Sequence, residues 1–427
     1  MADETDDRPG STRRRFLAGL AAGGVASVGG CTTLPAFGQQ VRFGSVEEPE
    51  TGPPRYRDWI PEPDESARPG DLDGVRTSME YVVPGSRGED LLGTPYGGKG
   101  VKPGMDYVGV GLSAFEWAVE ARGSVVAKGS VATDTVQAAL EGTGYEQYDS
   151  YEGYTVYERG DLQQVVAHGD DYVLFSGYFD EPMQFVGPMI DAGEGRHTRF
   201  HEAEPQFERM TDSVRAPPWT HIRPGTFTVD GSRALLEARS VDFGESTVYP
   251  SRSFLFADDA DVSKQDIRAR ISEYPEALEA NRVELTVDDN LATAVATMPP
   301  DTFRNMDSIA LYDQPIITWG LEWDPGDEAA VLTHEAGDSV DAETFRVYLK
   351  DISAADEDGT DGPRPPDPAD DQFSDSFDRL GPGDSLSVDV SDIETWQISV
   401  RGEPAGTEYT WGEFGYFPPS LRDNLDG

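Results

Sequence analysis

Cysteine is almost absent from this 427-residue chain. Cys31 stands alone, which excludes an intramolecular disulfide and any cysteine-based zinc or iron–sulfur centre. Lysine is nearly as scarce: five (99, 102, 128, 264 and 350) leave 29 of the 34 basic residues as arginine. Against these stand 80 Asp+Glu, for a formal net charge of −46 and a pI near 4.2. So few cations exclude a nucleic-acid binder, because one polyanion gains nothing from meeting another. Acid excess with little lysine fits a surface built for molar salt, where screening removes the self-repulsion. The acids do not imply disorder, because 37% of the residues are hydrophobic and 10% aromatic, with many β-branched runs. The length allows two to three domains.

The N-terminus reads as an address. Arg13, Arg14, Phe16 and Leu17 precede an apolar, small-residue run, Ala18 to Gly30, that is too short to span a bilayer. Paired arginines ahead of Phe-Leu match the twin-arginine export signal. The run ends at Val28-Gly29-Gly30-Cys31, where small residues admit a peptidase and the thiol can carry a lipid as a thioether. Residues 1–30 are therefore expected to be a signal peptide, leaving a mature chain of 397 residues lipidated at Cys31. Together with the acidic composition, this segment resembles the exported lipoproteins of halophilic archaea.

Residues 31–75 are rich in Pro, Gly and acids and read as an extended tether, although Tyr56–Pro61 is apolar enough to dock on the first domain. From 76 to 302 strands and helices mix. Phe115, Trp117, Val119 and Ala121 alternate with charged residues, and Arg122-Gly123 turns the chain into Ser124–Lys128. A helix with Val136, Ala139 and Leu140 on one face precedes strands at Tyr154–Glu158, Gln164–His168 and Tyr172–Ser176, and Pro182 opens a second helix. A similar order recurs: Phe254–Phe256, a helix capped at Ser263, then Val283–Val287 and Ala292–Met298 across Asp288-Asp289-Asn290. The expected fold class is thus α+β, a duplicated ferredoxin-like domain over 76–302. From 308 to 418, Gly, Pro and Asp punctuate short strands, as in a β-sandwich, and 419–427 is a tail. Tyr56–Pro61, Tyr145–Glu158 and Arg199–Met210 resemble a family of haloarchaeal lipoproteins, a likeness that implies no activity. Leu332–Asp341 and Gly381–Leu386 resemble the extracellular β-domain of archaeal type IV pilins. That likeness implies a fold and a surface setting without polymerisation, since the pilin N-terminal helix has no counterpart here.

Motifs for chemistry are incomplete. Gly93-x4-Gly98-Lys99 is followed by Gly100 where a phosphate loop needs Ser or Thr. Gly109–Ala114 spells GxGxxA, yet the residues after it alternate like a strand and not like the helix that motif must open. GxSxG and HExxH are absent. His197 and His201, with Glu204 beside them, would share a face if the segment were helical, and are the best metal candidate. Gly195 and two arginines oppose that reading, so no metal or cofactor is expected, and His334 is assigned to a turn. Tyr145, Tyr148, Tyr151, Tyr154 and Tyr157 recur every third residue, as a sugar-stacking surface or, preferably, as a hairpin whose rings pack on the sheet. No Asn lies in a glycosylation sequon.

The sequence therefore leads to a lipid-anchored protein on the outer face of the cytoplasmic membrane of a halophilic archaeon. Its expected role is non-catalytic, binding or envelope-organising, with the membrane as partner through Cys31 and envelope proteins or sugars as further partners. The alternatives are a secreted hydrolase whose site is scattered along the sequence, and a solute- or metal-binding lipoprotein.

Overall fold

Two-residue hairpins set the register of the main sheet. Arg122-Gly123 and Glu152-Gly153 both take positive φ, 59° and 77° in the first and 51° and 94° in the second. That geometry matches the right-handed twist of the strands it joins. The computed structural model describes residues 41–62, 78–92, 101, 111–129, 131–159, 164–177, 183–258, 260, 262–306, 315–323, 327–351, 367–391, 393, 396–402 and 409–416.

The strands of the main sheet are β1 (Met79–Val82), β2 (Trp117–Ala121), β3 (Ser124–Lys128), β4 (Glu146–Tyr151), β5 (Tyr154–Arg159), β6 (Gln164–His168), β7 (Tyr172–Ser176), β8 (Trp219–Pro224), β9 (Leu236–Phe243), β10 (Val248–Leu255), β11 (Arg282–Asp288) and β12 (Leu291–Thr297). They form one antiparallel sheet of 12 strands in the order β11-β12-β10-β9-β8-β1-β2-β3-β7-β6-β5-β4. The fold is mixed α+β, as expected.

Both faces of this sheet are covered. Helices α1 (Arg87–Leu92), α2 (Thr133–Leu140), α3 (Met183–Gly193), α4 (Phe200–Ala203), α5 (Pro205–Val214), α6 (Lys264–Ile271), α7 (Pro275–Glu279) and α8 (Pro300–Met306) divide between them. Val136 and Leu140 of α2, Ile267 and Ile271 of α6, Ala277 of α7 and Phe303 of α8 join a core with Ala118, Val125, Val241 and Phe254 on one face. Val186, Met189 and Ile190 of α3, Phe200 of α4, and Phe207 and Met210 of α5 join Tyr81, Val119, Val126 and Leu174 on the other. Double coverage explains why β2 buries Ala118 as well as Val119 and Ala121, where strict alternation predicts one apolar face. Ser263 caps α6 as read, its hydroxyl accepting from the Asp266 N–H.

Residues 41–62, expected within an extended tether, lie along the body. Phe43 makes a parallel bridge with Val283 of edge strand β11, and the strap then crosses one face to a bridge between Pro61 and Arg199. A short 3₁₀ turn, Arg55–Trp59, buries Tyr56 and Trp59. Tyr56 stacks on Tyr81 with centroids 4.5 Å apart, and Trp59 meets Tyr172 at 4.2 Å. The apolar Tyr56–Pro61 stretch is thus the dock that its composition suggests.

Beyond residue 315 two small sheets pack together. β13 (Ile317–Glu322), β14 (Ala329–Gly337) and β16 (Ser385–Asp389) form one, in the order β13-β14-β16. In the other, β17 (Trp396–Gly402) lies between β15 (Phe345–Asp351) and β18 (Tyr409–Tyr416), and Asp367–Pro368 pairs along β15. Trp319 of β13 meets Phe345 of β15 edge-on at 5.9 Å, and Trp323 meets Trp396 at 5.5 Å. This part is bolted to the end of the main sheet by a bidentate ion pair. Arg159 Nη1 and Nη2 donate to Glu335 Oε2 and Oε1 at 2.7 and 3.0 Å. Gly144 and Gly320 make room for it, since a Cβ at either would lie 2.7 Å from Arg159 Nη2 or 2.2 Å from Glu335 Oε1.

Candidate functional site

The register of the main sheet assembles a row of ionisable residues. Glu120 on β2 faces Glu80 on β1, Glu80 faces His221 on β8, His221 faces Arg239 on β9, and Arg239 faces Arg252 on β10. Directly opposed residues point to the same side, so five consecutive strands present one charged line. One step along, Arg223 on β8 faces Glu237 on β9. The row lies on the face that carries α6, α7 and α8.

Pairing dominates its chemistry. Glu276 of α7 accepts from Arg252 at 2.7 Å and from Arg239 at 3.2 Å. Glu237, only 2% exposed, lies 3.2 Å from Arg223 and 3.5 Å from Arg252 and accepts from the Thr226 hydroxyl at 3.0 Å. Arg252 also stacks over Tyr274 at 4.2 Å, and Arg239 over Trp219 at 5.9 Å. The Trp219 indole N–H donates to Glu80 at 2.8 Å. Burial opposes ionisation of Glu237 and Glu276, yet the arginines outweigh it and hold both carboxyls below their ordinary values. Burial pushes the His221 imidazole down, so that it favours the neutral form, while Glu80 opposes the shift. Burial raises Glu120 to about 7, with Glu80 adding to the rise and the Gly123 N–H opposing it.

Beneath the arginines is a cavity of about 30 Å³ bordered by Trp219, Arg239, Arg252, Ile271, Tyr274 and Glu276. It has room for about two water molecules, far less than the several hundred Å³ of a metabolite pocket. Arg252 Nε and Glu276 Oε2 have no hydrogen-bond partner among the described residues. The cluster can hold water and lock helix α7 to the sheet. It lacks the open, convergent geometry of a nucleophile with its base.

Sequence-derived candidates are placed differently. Cys31, Arg13, Arg14, Phe16 and Leu17 lie outside the described residues, as does the whole of the phosphate-loop imitation, Gly93 to Gly100. Helix α4 starts at Phe200, so His197 sits exposed in the bend before it and shares no helical face with His201. His201 is buried against Asp58 at 4.0 Å and pushed down by burial and by Arg57. Glu204 is exposed at the junction of α4 and α5. The metal geometry considered for these three residues does not form, because Gly195, at φ 73°, breaks the helix before the first histidine. No group of three or more His, Cys, Asp or Glu suited to a metal occurs among the described residues.

Gly111 opens a 3₁₀ turn over Leu112–Ala114 that leads into β2, where a dinucleotide fingerprint would start a helix. The tyrosine series is the β4–β5 hairpin: Tyr145, Tyr154 and Tyr157 are buried, while Tyr148, at a bulge between Gln147 and Asp149, is 68% exposed. His334 is buried and its Nε2 pairs with the Ala336 carbonyl at 3.0 Å. The charged row itself has no linear motif, since its members come from five strands spread between residues 80 and 252.

No helix among the described residues is long and apolar enough to cross a membrane. No family model matches the chain, and no curated protein matches it. Among solved structures, two crystal forms of TP0453, a Treponema lipoprotein, resemble part of it. Form III matches at 10% identity over 55% of this chain and 97% of its own, and form I at 12% over 56% and 97%. Both have a TM-score of 0.35, and a likeness that weak carries no conclusion.

Proposed function

We propose that the chain is a lipid-anchored surface protein of a halophilic archaeon, held at the outer face of the cytoplasmic membrane. Its role in this reading is non-catalytic, in binding or in organising the envelope. The finer architecture proposed with it is a duplicated ferredoxin-like sheet followed by a pilin-like β-sandwich. In the first copy α2 carries the chain between parallel strands β3 and β4; in the second, α6 and α7 carry it between β10 and β11. Three strands separate the first pair and one the second, so the copies would have diverged in strand number.

One observation supports a non-catalytic role above others. The described charged cluster pairs Glu237 and Glu276 with arginines around a cavity of about 30 Å³. Carboxylates held ionised by guanidinium groups are poor general acids, and a cavity of that size admits no substrate. The mechanism is then positional: lipid on Cys31 holds the body while the C-terminal sheets meet other envelope components. Native expression of wild type and Cys31→Ser, with fractionation of cells and medium, tests the anchor. Wild type should stay with the membranes and be trimmed by protease added to whole cells, and Cys31→Ser should appear in the medium. Retention of Cys31→Ser on the membrane would contradict the proposal.

A further inference from the structure

We infer that the corner of the body where the N-terminal strap begins is a docking surface for anionic lipid headgroups. This rests on the anchoring role of Cys31 and adds a second contact to it. The strap is pinned at its first described residues: Val283 N–H donates to the Arg42 carbonyl at 2.8 Å, and Gly44 N–H to the Val283 carbonyl at 2.9 Å. Arg268 of α6 lies over the Phe43 ring at 3.9 Å, and Arg282 donates to the Ser45 carbonyl at 3.2 Å. Val41 lies ten positions after Cys31. A chain of that length spans at most about 36 Å, so a lipid on Cys31 keeps this corner within that distance of the bilayer.

The corner is richer in bases than the chain as a whole, although Glu284, which accepts from the Val46 N–H, and the exposed Glu47 and Glu48 lie beside it. Arg42, Lys264, Arg268, Arg270 and Arg282 are all exposed here. Helix α6 carries Lys264, Arg268 and Arg270 against Asp266 alone, in a protein with 80 acids to 34 bases. Asp266 is tied to its cap Ser263, and Glu273 pairs with Arg270. Cations concentrated beside the tether suit phosphate-bearing headgroups, and guanidinium can engage phosphate through two hydrogen bonds. In molar salt the Debye length is only about 3 Å, so the attraction acts at contact and gives orientation more than capture from a distance. A single acyl chain anchors marginally, and a basic patch is the kind of second signal that makes attachment stable.

The test uses full-length protein whose intact mass has first established lipid on Cys31. Absence of lipid at that step overturns the anchoring reading itself. Lipidation consumes the native thiol, so Gln265→Cys on α6 and Tyr148→Cys on the opposite sheet edge each supply one site for a fluorophore. Vesicles of phosphatidylglycerol doped with nitroxide-headgroup lipid, in molar salt, should quench the Gln265→Cys label about fivefold more than the Tyr148→Cys label. In phosphatidylcholine vesicles, or with Arg268→Ser, Arg270→Ser and Arg282→Ser combined, that difference should shrink to the small one that the tether alone imposes. Equal quenching at the two positions in anionic vesicles, or an undiminished difference in neutral ones, would overturn the docking surface while leaving the anchor intact.

Discussion

Arg159 has a fully buried side chain and Glu335 one that is 16% exposed, so their bidentate pair works in a largely dry environment. Losing one partner strands the other charge, whereas replacing both by apolar groups removes the desolvation cost with the attraction. Glu335→Gln is therefore expected to destabilise the protein by about 3 kcal/mol, and the Arg159→Met/Glu335→Leu double variant by much less, both read from denaturant midpoints. Glu120 has the opposite sign. Its folded value of about 7 exceeds the ordinary 4.5, so between those values the native state keeps a proton that the unfolded chain has released. Its contribution to stability therefore falls as pH rises through that window. Discounting for its partial exposure, Glu120→Gln should stabilise the protein by about 1 kcal/mol above pH 8 and leave it unchanged near pH 4, as thermal melts at the two pH values would reveal.

Among the elements, the strap is the least expected and the easiest to probe. Gly193 ends α3 directly beneath Trp59, and a Cβ there would lie 2.5 Å from the indole. Gly193→Ala should displace Trp59, destabilise the protein by about 2 kcal/mol and open residues 41–62 to limited proteolysis, mapped by mass spectrometry. Local elements were largely legible. Arg122-Gly123 announces its turn, Ser263 its cap, and Val136 with Leu140 a helix face, because each signal spans only a few residues. Long-range organisation was not. Nothing local says that β1 joins two groups of strands, or that Glu80 and Arg252 share a row, since register depends on partners far along the chain. Pro188 lies inside α3, against its helix propensity, and the Val186, Met189 and Ile190 contacts retain the helix.

At the scale of the whole molecule, a chain of net charge −46 folds around a doubly covered sheet in which Glu237 and Glu276 are paired with arginines. One edge of the sheet is capped by the strap. The other, β4, carries Glu146, Asp149 and a bulge, devices that discourage strand addition. Under the proposed function this body is a passive structure positioned by a lipid on Cys31, with an unliganded interior. The most direct test is the intact mass of protein isolated from its own membranes, measured natively and again after denaturation. The expected result is a chain beginning at Cys31, carrying added lipid mass that survives denaturation, with nothing else released. A chain without lipid would contradict the anchor, and mass lost on denaturation would contradict the non-catalytic, ligand-free reading of the body.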